Sequence, residues 1–264
     1  MIAHVNGLQL NYDDVGTGVP IVLLHAFPLD RSMWAPQVGA LVRQGRCLAP
    51  DLRGFGSTTA APPYGMDQYA DDVAALMDKL DIDPAVVVGL SMGGYIAFAL
   101  WRRHRARVRA LVLADTRAGA DTDEGREKRR RLIEVAQSRG SSTIADLQIA
   151  SMVGATTRER RPEVAETIRA MMAAAPVEGI VGALDAMIAR PDSTSTLATI
   201  EVPTLIMVGD EDTLTPPAES QSMRAQIRGS RLEVISEAGH ICNLERPSAF
   251  NHVLSEFVEG VTLR

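Results

Sequence analysis

Two cysteines, Cys47 and Cys242, are all that the 264 residues contain. A disulfide framework needs more, and the two lack metal-ligand spacing, so a reducing cytoplasm is the expected setting. No apolar run approaches the roughly 20 residues that cross a bilayer, so no membrane-spanning segment is expected. The opening residues have no basic stretch leading into an apolar one, and no secretory signal is expected. Positive charge is also short. Lys and Arg number 27 against 33 Asp and Glu, a net charge of −6, which gives no support for nucleic acid or an anionic membrane as partner. There is no internal repeat and no low-complexity tract. What is present is 46 % hydrophobic and 23 % charged residues, enough for one large domain or for a core carrying an insertion.

The organisation of that core follows from hydrophobic patterning. A strand is expected over residues 8–13, then a turn at Gly16-Thr17-Gly18, then a run over 20–25 that is apolar on both faces. Such a run suits a strand buried inside a parallel sheet. Residues 33–44 read as an amphipathic helix, 46–49 as a short strand, and 67–80 as a helix with Met66-Asp67 as its cap. Strands at 86–88 and 108–113 flank a helix over 92–102. This βαβ rhythm predicts a mostly parallel, doubly wound α/β sheet. The rhythm breaks over residues 117–195, where no strand is evident and charge (124–131) alternates with Met- and Ala-rich helical stretches. Strand texture returns at 203–208 and 231–235, and a last amphipathic helix covers 247–259. The expected division is therefore a core over 1–116 and 196–264, interrupted by an all-helical insertion at 117–195. Its methionines read most simply as core filler, with a Met-lined substrate pocket as the alternative.

The segment Gly89-Leu90-Ser91-Met92-Gly93 lies between a buried strand and a helix and fits G-x-S-x-G. A serine at the apex of so sharp a turn needs neighbours without bulk, which Gly89 and Gly93 provide. Its oxygen then stands near a helix N-terminus, where N–H groups and the helix dipole favour developing negative charge. A serine hydroxyl needs a base, and the base an orienting acid, both supplied from elsewhere in the chain. Of the five histidines, His240 follows the last strand, where open α/β sheets gather their chemistry. His4 lies in the N-terminal strand region, His104 on a basic helix end and His252 on the exposed pattern of the last helix; His25 ends a strand. For the acid, the loop Gly209-Asp210-Glu211-Asp212 follows the strand at 203–208. Reach toward the histidine favours Asp212 over Asp210, and Glu211 is expected to point away from both. Asp115, at the end of the strand at 108–113, is the other candidate.

These motifs, with His25-Ala26-Phe27-Pro28 and Asp51-Leu52-Arg53-Gly54-Phe55-Gly56-Ser57, resemble the α/β-hydrolase superfamily over nearly the whole length. Within it the chain is most similar to small bacterial carboxylesterases and to 3-oxoadipate enol-lactonase-like hydrolases, and also to the cofactor-free haloperoxidase or perhydrolase group. The resemblance implies the α/β-hydrolase fold, with a helical cap inserted after the sixth strand. It implies cleavage of a small-molecule ester or lactone through an acyl-enzyme on Ser91, His240 and Asp212, with no metal or organic cofactor. Backbone N–H groups of Phe27 and Met92 would form the oxyanion hole, although Ala26 stands where such proteins commonly have glycine. His25 would be a structural hydrogen-bonding residue. Arg53 would tie loops together, with a hold on a substrate carboxylate as its alternative. Serine at position 91 sets the chain apart from haloalkane dehalogenases and epoxide hydrolases, which use an aspartate there. Carbon–carbon bond hydrolysis of ring-cleavage products, perhydrolysis and a non-enzymatic receptor role remain as alternatives, and neither the ester nor the oligomeric state follows from the sequence.

Overall fold

The computed structural model describes residues 1–82 and 84–262. The chain opens with β1 (Ile2–Val5) and β2 (Leu8–Val15), which pair antiparallel. Asn6 and Gly7 between them have φ of 48° and 75°, the positive angles of a two-residue hairpin turn that Asn-Gly adopts at little steric cost. Only the second of these strands is expected from apolar patterning; β1 is four residues long and too brief for alternation to announce it.

Six strands follow: β3 (Val19–Leu24), β4 (Gly45–Pro50), β5 (Ala85–Leu90), β6 (Val108–Ala114), β7 (Thr204–Gly209) and β8 (Arg231–Ile235). Among the described residues the eight form one sheet in the order β1-β2-β4-β3-β5-β6-β7-β8. β2 runs antiparallel to β4, and every pairing beyond it is parallel. The helices before the sixth strand are α1 (Ala35–Leu41), α2 (Met66–Lys79) and α3 (Met92–His104). Between β6 and β7 come α4 (Asp123–Met152), α5 (Ala155–Arg160), α6 (Pro162–Ala174), α7 (Val177–Ala189) and α8 (Thr194–Leu197). The chain closes with α9 (Pro217–Gln226), α10 (Cys242–Glu245) and α11 (Pro247–Thr262).

The doubly apolar strands have a direct packing consequence. Val22, Leu24 and Val87 face one layer, where Tyr69 and Val73 of α2 and Phe98 of α3 meet them. Their strand neighbours Ile21, Leu23, Val86 and Val88 face the other, filled by Leu41 of α1 and by Phe250 and Leu254 of α11. Successive side chains on a strand point to opposite faces, so a run buried on both sides requires helices on both sides. This is the α/β fold the patterning predicts.

Local details differ from expectation. The helix foreseen at 33–44 is a 3-10 turn (Arg31–Trp34) followed by α1, with Pro in its first turn. The N-cap of α2 is Gly65, which offers no side-chain acceptor, and Asp67 sits inside the first turn. There its charge meets the positive end of the helix dipole. Among the described residues no strand lies between β6 and β7. α4 is broken at Gly140 (φ 78°, ψ 177°), a conformation open to glycine and costly for a residue with a Cβ. The helix packs against both α6 and α7. No single helix among the described residues is long and apolar enough to cross a membrane.

Candidate active site

β5 ends at Leu90 and α3 begins at Met92, so Ser91 alone turns the chain from strand to helix. It does so at φ 55° and ψ −112°, a backbone state that costs on the order of 1–3 kcal/mol and persists only where its surroundings enforce it. The surroundings do. A Cβ on Gly89 would lie 2.7 Å from the Gly94 nitrogen, and one on Gly93 would lie 2.8 Å from the Leu24 carbonyl carbon. The turn is therefore closed to bulk at both flanking positions. Ser91 N–H donates to the Ala114 carbonyl at 2.9 Å, and the Thr116 hydroxyl donates to the Ser91 carbonyl at 2.9 Å. Thr116 is a support that the sequence reading lacks, because it lies on the loop after β6 rather than in the motif.

The loop after β8 brings His240 over this serine. Its Nε2 lies 2.7 Å from Ser91 Oγ, and its Nδ1 lies 2.8 Å from Asp212 Oδ2. Asp212 comes from the loop after β7, where its Oδ1 accepts the N–H groups of Leu214 (2.8 Å) and Thr215 (3.0 Å). Its Oδ2 also accepts the Thr215 hydroxyl at 2.6 Å. An ionised carboxylate only accepts, so the proton between it and the ring belongs to Nδ1. That leaves the Nε2 lone pair facing the serine hydroxyl. Thr215 is a second residue absent from the sequence reading. Its local signal is the Asp-x-x-Thr spacing, which lets an aspartate accept from N–H groups two and three residues ahead.

The electrostatics follow from burial and pairing. Burial alone would raise the Asp212 carboxyl, but the charge and hydrogen bond of His240, then the bonds from Thr215, outweigh it and hold the group at about 2. Burial likewise opposes protonation of His240, and the charge and hydrogen bond of Asp212, then Asp115 and Glu245, reverse this and leave its pKa raised. Asp115 is fully buried, and its Oδ1 accepts the Gly209 N–H at 2.9 Å. Burial and then the neighbouring Asp212 push it well above the ordinary carboxyl range. Asp210 is exposed and accepts the Ala238 N–H at 3.4 Å. Glu211 turns away from both, as expected, to accept the N–H of Thr156 at 2.9 Å. Of the carboxylates weighed from sequence, Asp212 is the one within hydrogen-bond reach of the imidazole.

Phe27, on the loop after β3, lines one cavity with Ser91 and His240, and Met92 opens the first turn of α3. His25 is buried away from this cavity. Its Nε2 accepts the Leu52 N–H and its Nδ1 donates to the Ala26 carbonyl, both at 3.0 Å, and burial lowers its pKa. Arg53 makes two bonds of 2.8 Å to Asp72 of α2. His4 and His252 are exposed, and His104 bonds Asp71 at 2.7 Å.

The cavity holds about 420 Å³, a volume suited to a small organic ligand. α4 and the segment before it supply much of its wall, including Asp121, Lys128, Arg129 and Leu132. The methionines divide between the two roles weighed for them. Met152 and Met187 line the cavity, and Met172 is buried in the core. Asp121, with no side-chain exposure, collects Arg129 at 2.5 Å, Arg117 at 2.6 Å and Arg190 at 3.0 Å. Among the described residues no group of three His, Cys, Asp or Glu side chains is gathered to hold a metal ion.

Comparison with known proteins agrees with this architecture. The family model for the alpha/beta hydrolase fold matches residues 19–247. The 3-oxoadipate enol-lactonase 1 of Acinetobacter baylyi is 30 % identical over 244 residues, spanning 91 % of this chain and 89 % of that protein. The structure of a thermophilic esterase from Thermogutta terrifontis, with malate bound, superposes with a TM-score of 0.95 at 40 % identity, covering 99 % of this chain and 97 % of that one. The enol-lactonase from Burkholderia xenovorans superposes with a TM-score of 0.91 at 34 % identity, covering 98 % and 100 %.

Proposed function

The chain belongs to the α/β-hydrolase family, and from that premise we propose that it is a serine hydrolase cleaving small carboxylic esters or lactones through an acyl-enzyme. The observation that carries the reading is the continuous line from Ser91 Oγ through both nitrogens of His240 to Asp212, with links of 2.7 and 2.8 Å. A hydroxyl aimed at a neutral imidazole nitrogen, itself fixed by a carboxylate, is what acyl transfer needs.

In this mechanism His240 Nε2 takes the Ser91 proton as Oγ bonds to the substrate carbonyl carbon. The resulting oxyanion is met by the N–H groups of Phe27 and Met92, and each such donor is worth on the order of 3 kcal/mol in the barrier. The same Nε2 then gives its proton to the departing alkoxide as the carbon–oxygen bond breaks. Water, deprotonated by His240, attacks the acyl-enzyme, and the proton returns to Ser91 as the carboxylic acid leaves. Asp212 stays ionised throughout and stabilises the imidazolium. In a lactone the alkoxide remains tethered to the acyl group, and the chemistry is otherwise unchanged. The lactone reading draws on the two enol-lactonases to which the chain is similar. Residues 117–195 act as the cap, and their wall of the cavity sets the size and polarity of the substrate.

The test is hydrolysis of short- to medium-chain p-nitrophenyl esters by the wild type and by Ser91→Ala, with fluorophosphonate labelling of both. Turnover and labelling that vanish in the variant support the reading. A folded wild type that neither turns over these esters nor takes the label would refute it.

A further inference from the structure

His240 is held by more than its side chain. It lies between Gly239 and Ile241, and both of their peptide N–H groups donate to one atom, Glu245 Oε1, at 3.0 and 3.2 Å. The other oxygen of that carboxylate, Oε2, accepts the N–H of Gly154 at 2.9 Å. Gly154 lies at the joint between α4 and α5, 91 residues away in sequence. Glu245 itself has no exposed surface. A buried carboxylate is costly unless its lone pairs are filled. Here they are filled by backbone N–H groups, from the histidine loop on one side and the insertion on the other, with the Thr157 hydroxyl of α5 beside them.

The joint is also fitted closely to the loops it touches. A Cβ on Gly154 would lie 2.5 Å from Glu211 Oε2 and 2.8 Å from the Gly239 nitrogen. Glu211 precedes Asp212 in the chain, accepts the Thr156 N–H at 2.9 Å and donates its own N–H to the Ala238 carbonyl at 2.8 Å. The loop bearing the acid and the loop bearing the base therefore end on one short stretch, residues 154–156.

We propose that Glu245 is a positioning residue for His240, and that through it the 154–156 joint of the cap sets the aim of the imidazole at Ser91. This rests on the serine hydrolase reading above. The geometry makes the coupling stiff. A shift of Gly154 draws on Oε2, and Oε1 carries the pull to the peptide planes on either side of the histidine. The aim has little slack, because Nε2 lies 2.7 Å from Oγ and a misplacement of about 1 Å at such a site costs on the order of a hundredfold in rate. Glu245 also raises the pKa of the ring, after Asp212 and Asp115, the other carboxyl groups facing it; burial holds Asp115 toward its neutral form and raises Glu245 from its ordinary value.

Two substitutions test this from opposite ends. Glu245→Gln keeps the shape, but an amide nitrogen cannot accept, so at least one of the three N–H groups loses its partner. We expect kcat to fall about tenfold to a hundredfold with KM nearly unchanged. The acid limb of kcat/KM should also move to lower pH, because a negative charge near the ring is gone. Gly154→Ala removes no carboxylate and crowds the joint, where Glu211 must give way. It should lower kcat in the same way and leave the acid limb where it was. Rates are expressed per site titrated with fluorophosphonate, which removes any loss of folded protein from the comparison. Wild-type kcat and acid limb in a folded Glu245→Gln, even with a lowered Tm, would mean that the residue is only structural and would overturn the proposal. Should that variant not fold, wild-type kcat in Gly154→Ala overturns it instead. Ser91→Ala is the control: turnover that survives it brings down the hydrolase reading, whereas an inactive Ser91→Ala beside an unaffected Glu245→Gln brings down the positioning role alone.

Discussion

Replacing Asp212 with asparagine probes the relay at the atom where its direction is decided. Oδ1 of Asp212 accepts two peptide N–H groups, from Leu214 and Thr215. Those donors need an acceptor, so the amide oxygen of the variant stays with them and the NH₂ takes the place of Oδ2. That NH₂ then faces His240 Nδ1 and donates to it. The ring responds by carrying its proton on Nε2, which points at Ser91 as a donor and can no longer take the hydroxyl proton. The loss expected from a wrong tautomer in a serine triad is about ten-thousand-fold in kcat, or about 5 kcal/mol at 1.36 kcal/mol per factor of ten. The fold should survive, since both backbone bonds to position 212 are kept. The assay is p-nitrophenyl ester turnover beside a thermal melt and circular dichroism. A folded Asp212→Asn that keeps more than about a tenth of wild-type kcat would refute the argument. The acid would then have to be sought at Asp115, a second buried carboxyl beside the ring, by adding Asp115→Asn to that background.

Three further outcomes follow from the same groups. His240 has a raised pKa, and in the proposed mechanism it acts as a base only when neutral, so kcat/KM should climb with pH through a midpoint above the ordinary 6.5 and then level off; a midpoint below 6.5 contradicts the pairing with Asp212. The Asp212 carboxyl is depressed from 3.8 to about 2, so its contribution to stability, about 2 kcal/mol, is complete above 3.8 and is lost as pH falls toward 2. Urea unfolding of wild type and Asp212→Asn should therefore diverge at about pH 5 and converge toward about pH 2, and a constant gap would remove the linkage. Asp121→Ala takes the shared carboxylate from three arginines, of which Arg190 is buried. It should cost about 3–5 kcal/mol in denaturant unfolding, and a loss below about 1 kcal/mol would show that the arginines find other partners.

What could be read from the sequence was local in origin. The strand–turn–helix at Ser91 is legible because the two glycines it needs flank the serine within five residues, although the crowding at Gly93 comes from Leu24 on β3. The two-layer packing is legible because strands apolar on both faces demand it. Asn6-Gly7 is an equally local hairpin signal, yet β1 is too short for its alternation to support the turn. The choice of Asp212 came from reach alone. In the structure two N–H groups and a hydroxyl converge on that carboxylate, contacts that reach alone does not reveal. Glu245 was out of reach for a different reason. Its partners stand on both sides of a 91-residue separation, and no spacing rule links a buried glutamate to a glycine that far away. The break of α4 at Gly140 escaped because a lone glycine inside a helical pattern is tolerated at modest cost and does not by itself announce a break.

The position of the helical insertion has a consequence for protein engineering. β6 and β7 are adjacent and parallel, paired from Leu111 with Thr204 to Ala114 with Met207, so the chain leaves the sheet at the C-terminal end of β6 and rejoins it one strand over, at the N-terminal end of β7. Both ends of the excursion are thus anchored in a rigid frame whose geometry does not depend on what lies between them. Such a junction behaves as a socket, into which helical segments of other lengths could be grafted without altering the sheet. The graft must nonetheless carry its own equivalent of residues 154–156. A replacement roof that lacks their N–H groups would leave Glu245 buried with an unfilled oxygen and the imidazole loop fastened on one side only.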